Sequence, residues 1–218
     1  MIDFATARRN MVDCQIRPNK VTDERILAAM AEVPRERFVP EDMAAIAYVD
    51  EDIDIGSGRC LMEPLALARM LQCLDIKDTE VALVIGCATG YVAAILARLA
   101  ATVVALESDH ALGAVATRTL EELAYDNVVV VEADLRSGLG QQAPYDVILF
   151  GGAVASIPDH ISDELAEGGR LCAVVDDASG MGKAVMVVRK GGVLSRRVMF
   201  DAAMPMLPGF TREAGFVF

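Results

Sequence analysis

The sequence predicts an α/β fold: a doubly wound, mostly parallel sheet with an N-terminal helical extension and a C-terminal antiparallel hairpin. From residue 78 onwards, short runs of Val, Ile and Leu alternate with helical patterns. Uninterrupted apolar runs between helices are typical of parallel strands covered on both faces. A chain of 218 residues, 54% hydrophobic and 24% charged, suits one globular domain with an appendage.

Residues 1–77 are predicted to form the helical extension and a loop. Asp23 or Thr22 can cap a helix that ends at Pro34. An irregular stretch with two glycines covers residues 48–64. Pro64 suits the first turn of a helix that reaches about residue 74.

Residues 78–200 are predicted to form the α/β core, and residues 201–218 an apolar tail packed on it. A Lys-Gly-Gly turn between two strand patterns indicates the terminal hairpin. The predicted elements are strand 81–85, helix 91–99, strand 103–106, helix 110–123, strand 127–131, strand 145–150, helix 157–165, strand 171–175, and hairpin strands 184–189 and 193–199.

A glycine-containing turn, Gly86 to Gly90, joins the first core strand to a helix. Such a turn directs backbone N–H groups and a helix N-terminus at a ligand. Glu107 lies 21 residues (107 − 86) after Gly86, close to the ~20-residue offset at which an acid accepts ribose hydroxyls. Asp134 follows the third strand, where an adenine edge would lie. The alternative is that both acids are merely solvated strand ends.

The turn disfavours two other nucleotide ligands. A dinucleotide fingerprint needs glycine at positions 86, 88 and 91, where this chain has Ala88 and Tyr91. A phosphate-binding P-loop is excluded because no Gly-Lys-Ser or Gly-Lys-Thr follows. An adenosine ligand without phosphate remains, and S-adenosylmethionine meets that description.

Three segments resemble the protein-L-isoaspartate O-methyltransferase family: Val-Pro-Arg-Glu-Arg-Phe-Val-Pro at 33–40, Ala-Tyr-Val-Asp at 47–50 and Ile-Asp-Ile-Gly-Ser-Gly at 53–58. The resemblance covers about residues 7–165. It implies a Rossmann-like class I methyltransferase, cytoplasmic and active in protein repair, which transfers a methyl group in line from S-adenosylmethionine to a carboxylate. The implied cofactor contacts are Gly86, Cys87, Ala88, Gly90, Glu107, Ser108, Asp134 and Leu135.

The substrate loop departs from the family pattern. The family reads approximately Gly-Gln-Thr-Ile-Ser-Gln-Pro, whereas residues 58–64 read Gly-Arg-Cys-Leu-Met-Glu-Pro. Met62 replaces the serine that would contact the substrate carboxyl, and Glu63 replaces a neutral amide. The resemblance makes Met62 and Glu63 the catalytic-loop positions. The implied substrate-binding positions are Asp54, Arg59, Cys60 and Pro64.

These changes predict weak or undetectable methylation of isoaspartyl peptides. Losing a hydroxyl contact to a charged group costs about 1.5–3 kcal/mol. Glu63 adds repulsion unless Arg59 compensates. A neutral hydroxyl or amine acceptor would suit the loop better, with Glu63 as base; alternatively, Glu63 only favours a helix dipole.

The cofactor motif also departs from the family, because Val84 replaces an acid and Ala88 the middle glycine. Both changes predict weaker cofactor binding. Two alternatives to an isoaspartyl enzyme therefore stay open. One is a catalytically silent member that acts as a binding or interaction module, and the other is a methyltransferase for a different small-molecule acceptor.

Composition bounds the partners and the compartment. A net charge of −12 argues against nucleic-acid binding, and no apolar stretch is long enough to predict a membrane span. Five widely spaced cysteines without a Cys-x-x-Cys motif predict free thiols in the cytoplasm and no metal site. Cys87 is either a packing residue or a thiol activated at a helix N-terminus. His110 and His160 are predicted to be surface residues.

Overall fold

The computed structural model describes residues 2–176 and 181–211. The N-terminal extension is helical, as predicted. Asp23 caps its second helix by accepting a hydrogen bond from the Arg25 backbone N–H at 2.9 Å. The extension contains α1 (Phe4–Asn10), a π-helical turn (Met11–Ile16), α2 (Glu24–Glu32) and 3-10 turns at Arg17–Asn19, Arg35–Phe38 and Glu41–Ile46.

The loop before Pro64 is more regular than predicted. β1 (Ile53–Gly56) and β2 (Arg59–Leu61) form an antiparallel ribbon. Gly56 and Gly58 adopt positive φ angles of 87° and 66°, which a tight reversal requires. The ribbon leads into α3 (Pro64–Leu74), whose first turn holds Pro64 as predicted. The ribbon therefore places residues 59–61 on a defined strand.

Within the described residues, seven strands form the main sheet in the order β5-β4-β3-β6-β7-β8-β9. Pairs among β5, β4, β3, β6 and β7 are parallel, and β8 and β9 add an antiparallel hairpin. The predicted doubly wound fold is confirmed. The strands are β3 (Val81–Ile85), β4 (Thr102–Glu107), β5 (Val128–Glu132), β6 (Tyr145–Val154), β7 (Leu165–Val175), β8 (Lys183–Lys190) and β9 (Val193–Asp201).

The helices of the core are α4 (Tyr91–Ala97), α5 (His110–Glu122) and α6 (Asp159–Asp163). The prediction of a helix over 157–165 was wrong in extent, because β7 already begins at Leu165, which pairs with Tyr145. Gly168 and Gly169 lie inside β7. A side chain at Gly169 would meet the Tyr145 carbonyl oxygen at 3.0 Å, so the backbones approach too closely for another residue.

The sheet carries a hydrophobic cluster on each face. Alternate residues of β3 separate between them: Val84 packs with the N-terminal extension and α4, whereas Leu83 and Ile85 pack with α6 and residues 207 and 210. The prediction of full burial fails at the edge strand β5, where Val129 is 54% exposed. Over the described ranges, no helix combines the length and apolarity that a membrane span needs.

Candidate active site

The turn from Gly86 to Gly90 lies at the carboxyl end of β3, where the chain order reverses between β3 and β6. In doubly wound sheets, ligands bind at this switch point. The backbone N–H groups of Gly86 and Cys87 donate to the Leu106 carbonyl oxygen at 2.9 and 3.0 Å, which fixes the turn to β4. Gly86 has a φ of 80°, and a side chain at Gly151 on β6 would overlap the Gly86 carbonyl oxygen. The turn is therefore held tightly from both sides.

Glu107 ends β4 directly beside this turn and is 0% exposed. Its Oε2 accepts a hydrogen bond from the Ala88 N–H at 2.7 Å, and its Oε1 accepts from the Ser108 and Asp109 N–H groups at 2.9 and 3.1 Å. Arg59 completes the set, because its Nη1 lies 2.6 Å from Glu107 Oε1. Four donors thus satisfy the buried carboxylate.

Arg59 joins the β1–β2 ribbon to the turn from Gly86 to Gly90. Besides pairing with Glu107, it donates from Nη2 to the Gly86 carbonyl oxygen at 2.9 Å, and its side chain is only 3% exposed. The position of Arg59 in the substrate loop predicted a counter-charge for Glu63. The structure places its guanidinium at Gly86 and Glu107 instead. Sequence spacing does not predict the contact between Arg59 and Glu107, because 48 residues separate them.

The remaining motif positions pack into the core. Ala88 adopts a positive φ of 53°, a conformation that glycine adopts more easily. Gly90 has a φ of 100°, and a side chain there would lie 3.2 Å from the Ala116 side chain. Tyr91 is fully buried and packs edge-on against Phe38, with ring centroids 5.6 Å apart. Val84 is also fully buried. The large Tyr91 side chain is therefore part of the hydrophobic core. The glycine that a dinucleotide fingerprint has at this position is not needed here.

The end of β5 is open, in contrast to that of β4. Asp134 is exposed and accepts a hydrogen bond from the Arg136 N–H at 3.0 Å. Ser108 is exposed as well, whereas Leu135 is 1% exposed. The eight proposed cofactor positions thus divide into a buried group around Gly86 and an exposed group that includes Asp134.

The substrate-loop positions also divide. Met62 is 2% exposed and belongs to the core, and its carbonyl oxygen accepts a hydrogen bond from Arg35 Nη2 at 2.8 Å. Asp54 is exposed and accepts from the Gly56 N–H at 2.8 Å. Cys60 is buried, which raises the pKa of its thiol to about 12. Pro64 is buried in the first turn of α3. The loop therefore offers acids and no accessible hydroxyl at position 62.

Glu63 is the half-buried acid of this loop and stands at the N-cap of α3. Its backbone N–H donates to Asp52 Oδ1 at 2.7 Å, and its side chain makes no capping hydrogen bond. Burial raises the pKa of the Glu63 carboxyl, and the carboxylates of Asp50 and Asp52 raise that pKa further. Protonation of Glu63 is thereby made easier than in water.

The reactive-thiol interpretation of Cys87 was wrong. Cys87 is 2% exposed, and burial, followed by the nearby Glu107 carboxylate, raises the pKa of its thiol. His110 is exposed, and its Nδ1 lies 2.6 Å from Glu132 Oε2. His160 is exposed and its Nε2 lies 2.8 Å from the Arg136 carbonyl oxygen. In residues 2–176 and 181–211, no three His, Cys, Asp or Glu side chains are grouped to hold a metal ion.

Sequence reasoning missed Arg35. Its side chain is fully buried, lies 4.9 Å from the Tyr91 ring centroid and donates to the carbonyl oxygens of Ala47 and Met62. It therefore ties the N-terminal extension to the residue that follows β2. The only sequence signal was its place in the 33–40 segment. A cavity of about 610 Å³ lies nearby, bordered by Phe38, Thr89 and α5.

Comparison with known proteins agrees with this architecture. A family model described as protein-L-isoaspartate(D-aspartate) O-methyltransferase matches residues 6–203. A protein-L-isoaspartate O-methyltransferase of Koribacter versatilis is 41% identical over 207 residues, which cover 94% of this chain and 92% of that protein. One of Roseiflexus castenholzii is 40% identical over 170 residues, 78% of each chain.

Solved structures show the same fold. A protein-L-isoaspartate O-methyltransferase structure superposes with a TM-score of 0.80 at 26% identity, covering 92% of this chain and 66% of the other. A second structure, a putative protein-L-isoaspartate O-methyltransferase from Plasmodium falciparum in complex with S-adenosyl-L-homocysteine, also has a TM-score of 0.80. It is 19% identical, and the match covers 92% and 97% of the two chains.

Proposed function

The chain belongs to the protein-L-isoaspartate(D-aspartate) O-methyltransferase family and is an S-adenosylmethionine-dependent methyltransferase; from this premise we propose where the cofactor lies and what accepts the methyl group. The alternative of a catalytically silent binding module is not favoured. We propose that the cofactor lies over the turn from Gly86 to Gly90, at the carboxyl ends of β3 and β4.

One observation supports this location above the others: two acceptors, the Gly86 carbonyl oxygen and the Glu107 carboxylate, converge on one cationic, donor-rich group, the Arg59 guanidinium. S-adenosylmethionine carries the same chemistry in its ammonium group and ribose hydroxyls. The donor and acceptor set therefore fits the cofactor. Gly86 would hold the ammonium group, Glu107 the ribose and Asp134 the adenine edge.

The bound cofactor would supply an electrophilic sulfonium methyl group. The chain's own task is then to hold an acceptor in line with it and to exclude water. A carboxylate acceptor is already ionised and needs no general base. The ribbon residues Asp54 and Cys60 border the acceptor side in this proposal, together with Glu63 and Pro64 at the start of α3.

We propose a carboxylate of a peptide or protein as the acceptor, with isoaspartyl groups as the class that the relatives' names indicate. The acids Asp54 and Glu63 and the burial of Met62 make this loop a poor partner for a free carboxylate, so we expect a low isoaspartyl rate. A neutral hydroxyl or amine acceptor, with Glu63 as base, stays the second candidate. Its support is the raised pKa of Glu63.

The experiment for the cofactor site is isothermal titration with S-adenosylmethionine. Glu107→Ala should weaken binding by about 1.5–3 kcal/mol, because a charged acceptor is lost. Glu132→Ala is the matched control, since Glu132 is the register partner of Glu107 on β5 and is exposed. Equal binding by the parent and by Glu107→Ala would overturn the ribose assignment.

The experiment for the acceptor is transfer of a radiolabelled methyl group to an isoaspartyl peptide and to the same peptide with normal aspartate. Label on the isoaspartyl peptide alone supports the proposal. Label on neither peptide, with cofactor binding intact, favours the hydroxyl or amine acceptor. We also propose a cytoplasmic location, because all five cysteines are free thiols.

A further inference from the structure

Arg59 occupies two of the three acceptors of the proposed cofactor site, the Glu107 carboxylate and the Gly86 carbonyl oxygen. Its Nη1 lies 2.6 Å from Glu107 Oε1 and its Nη2 lies 2.9 Å from the Gly86 carbonyl oxygen. The two side chains are 3% and 0% exposed, so water takes little part in this pairing. Arg59 is anchored at its backbone by β2, whose residue Arg59 pairs with Gly56.

The other donors to Glu107 are backbone N–H groups, which cannot rotate away as a side chain can. The Ala88, Ser108 and Asp109 N–H groups belong to the backbone that follows β3 and β4, and their positions are set by the sheet. Arg59 is the remaining donor, and it is carried on a long side chain with several rotatable bonds. A ribose hydroxyl that binds the crowded Oε1 of Glu107 would therefore replace Arg59 and not a backbone donor.

The space above Gly86 is also filled. A Cβ atom built on Gly86 would lie 2.8 Å from Arg59 Nη2 on one side and 2.8 Å from Leu207 Cδ2 on the other. Leu207 is held there by backbone hydrogen bonds, since its N–H donates to the Ala153 carbonyl oxygen at 2.8 Å. A ligand donor that takes the place of Nη2 at the Gly86 carbonyl oxygen needs the Arg59 guanidinium to withdraw.

We propose that Arg59 is an intramolecular competitor of the cofactor and sets its affinity. This inference rests on the proposed cofactor site. The cofactor then binds by exchange: Arg59 leaves Glu107 and the Gly86 carbonyl oxygen, and the ammonium and ribose groups of the ligand take these acceptors. The observed dissociation constant exceeds the intrinsic one by the inverse of the fraction of molecules with Arg59 withdrawn.

The test is isothermal titration of the full chain with S-adenosyl-L-homocysteine, which binds without reacting. Arg59→Gln removes the charge and shortens the side chain, and it should bind about tenfold or more tightly than the parent. The matched control is Arg170→Gln, which breaks a half-buried pair with Glu80 (2.7 Å) away from the site. The control should bind within about twofold of the parent while also losing stability.

A second readout is the melting temperature. Arg59→Gln should melt below the parent without ligand, because Glu107 loses a buried partner, yet show a larger upward shift with ligand. If Arg59→Gln does not fold, Arg59→Lys replaces it in the binding test. Its single ammonium cannot span both acceptors, so it should bind several-fold more tightly than the parent.

Three outcomes are informative. Tighter binding by a folded Arg59 variant, with the Arg170 control unchanged, supports the competitor. Equal or weaker binding by that variant, with the parent binding well, overturns it and leaves the cofactor site standing, with Arg59 as part of the binding surface. Absence of binding in both parent and folded variant overturns the competitor and the proposed cofactor site together.

Discussion

Glu107 and Glu132 end neighbouring parallel strands and are register partners, yet their surroundings differ completely. The Glu107 side chain is 0% exposed and pairs with Arg59; the Glu132 side chain is 58% exposed and pairs with His110, itself 84% exposed. β2 covers the end of β4 with Arg59, whereas β5 is the edge of the sheet. A glutamate at equivalent strand positions thus belongs to a buried ion pair at the end of β4 and to an exposed pair at the end of β5.

The contrast shows how burial changes the free energy that is lost when an ion pair is broken. An exposed ion pair contributes about 0–1 kcal/mol, because water screens it and two side chains must be ordered. Breaking a buried pair by removing one partner costs about 3–5 kcal/mol, because an uncompensated charge stays in the interior.

Glu107→Ala should lower the free energy of unfolding by about 3–5 kcal/mol, since Arg59 is left buried and unpaired. Glu132→Ala should change it by less than about 1 kcal/mol. Urea unfolding without ligand, followed by circular dichroism, measures both. Similar losses of unfolding free energy for the two variants would show that the deeper burial of Glu107 does not affect stability.

The thiol of Cys87 should be protected from alkylation, because it is 2% exposed and burial raises its pKa. Cys14 is exposed and serves as the internal reference. We expect iodoacetamide at neutral pH to modify Cys14 at least about a hundredfold faster, as read by peptide mass spectrometry. Comparable rates would mean that the buried end of β3 and β4 opens readily.

The acid in the substrate loop should slow reaction with a carboxylate. Glu63→Gln should raise the rate on an isoaspartyl peptide about threefold to tenfold, because one repulsive charge is lost. The ratio of variant to parent rate should fall as the pH is lowered, since the raised pKa of Glu63 makes the parent acid neutral earlier than an ordinary Glu. A pH-independent ratio of one would remove Glu63 from the acceptor site.

The exposed pair at β5 should give the smallest effect. A hydrogen bond from His110 to Glu132, together with the Glu132 charge, raises the pKa of the imidazole. Its stabilising contribution is therefore fully present below the ordinary histidine pKa and disappears as the pH rises through the raised one. NMR titration should show the His110 pKa falling in Glu132→Gln and in high salt. An unchanged pKa would show that the pair does not persist in solution.

Local patterns predicted most of the fold. The strand at Val81–Ile85 and the helix at Pro64–Leu74 lie where hydrophobic runs, glycine and proline indicated. The helix predicted over 157–165 was too long, because pairing of Leu165 with Tyr145 draws Leu165 into β7, and a periodic pattern contains no information about that partner. The lowered pKa that the helix position indicated for the Cys87 thiol was wrong for a related reason. Burial raises that pKa, and a position in the sequence does not show burial.

The sequence by itself determined the glycine turn, the acid at the end of the next strand and the segments that resemble the family, because these features depend on neighbours close in the chain. Only the tertiary structure decided which acid is buried, which cation pairs with it and that Met62 faces the core. Arg59 meets Glu107 across 48 residues, and Leu207 reaches Gly86 across a still longer separation. Such contacts follow from the stacking of ribbon, sheet and C-terminal segment, which local spacing does not specify.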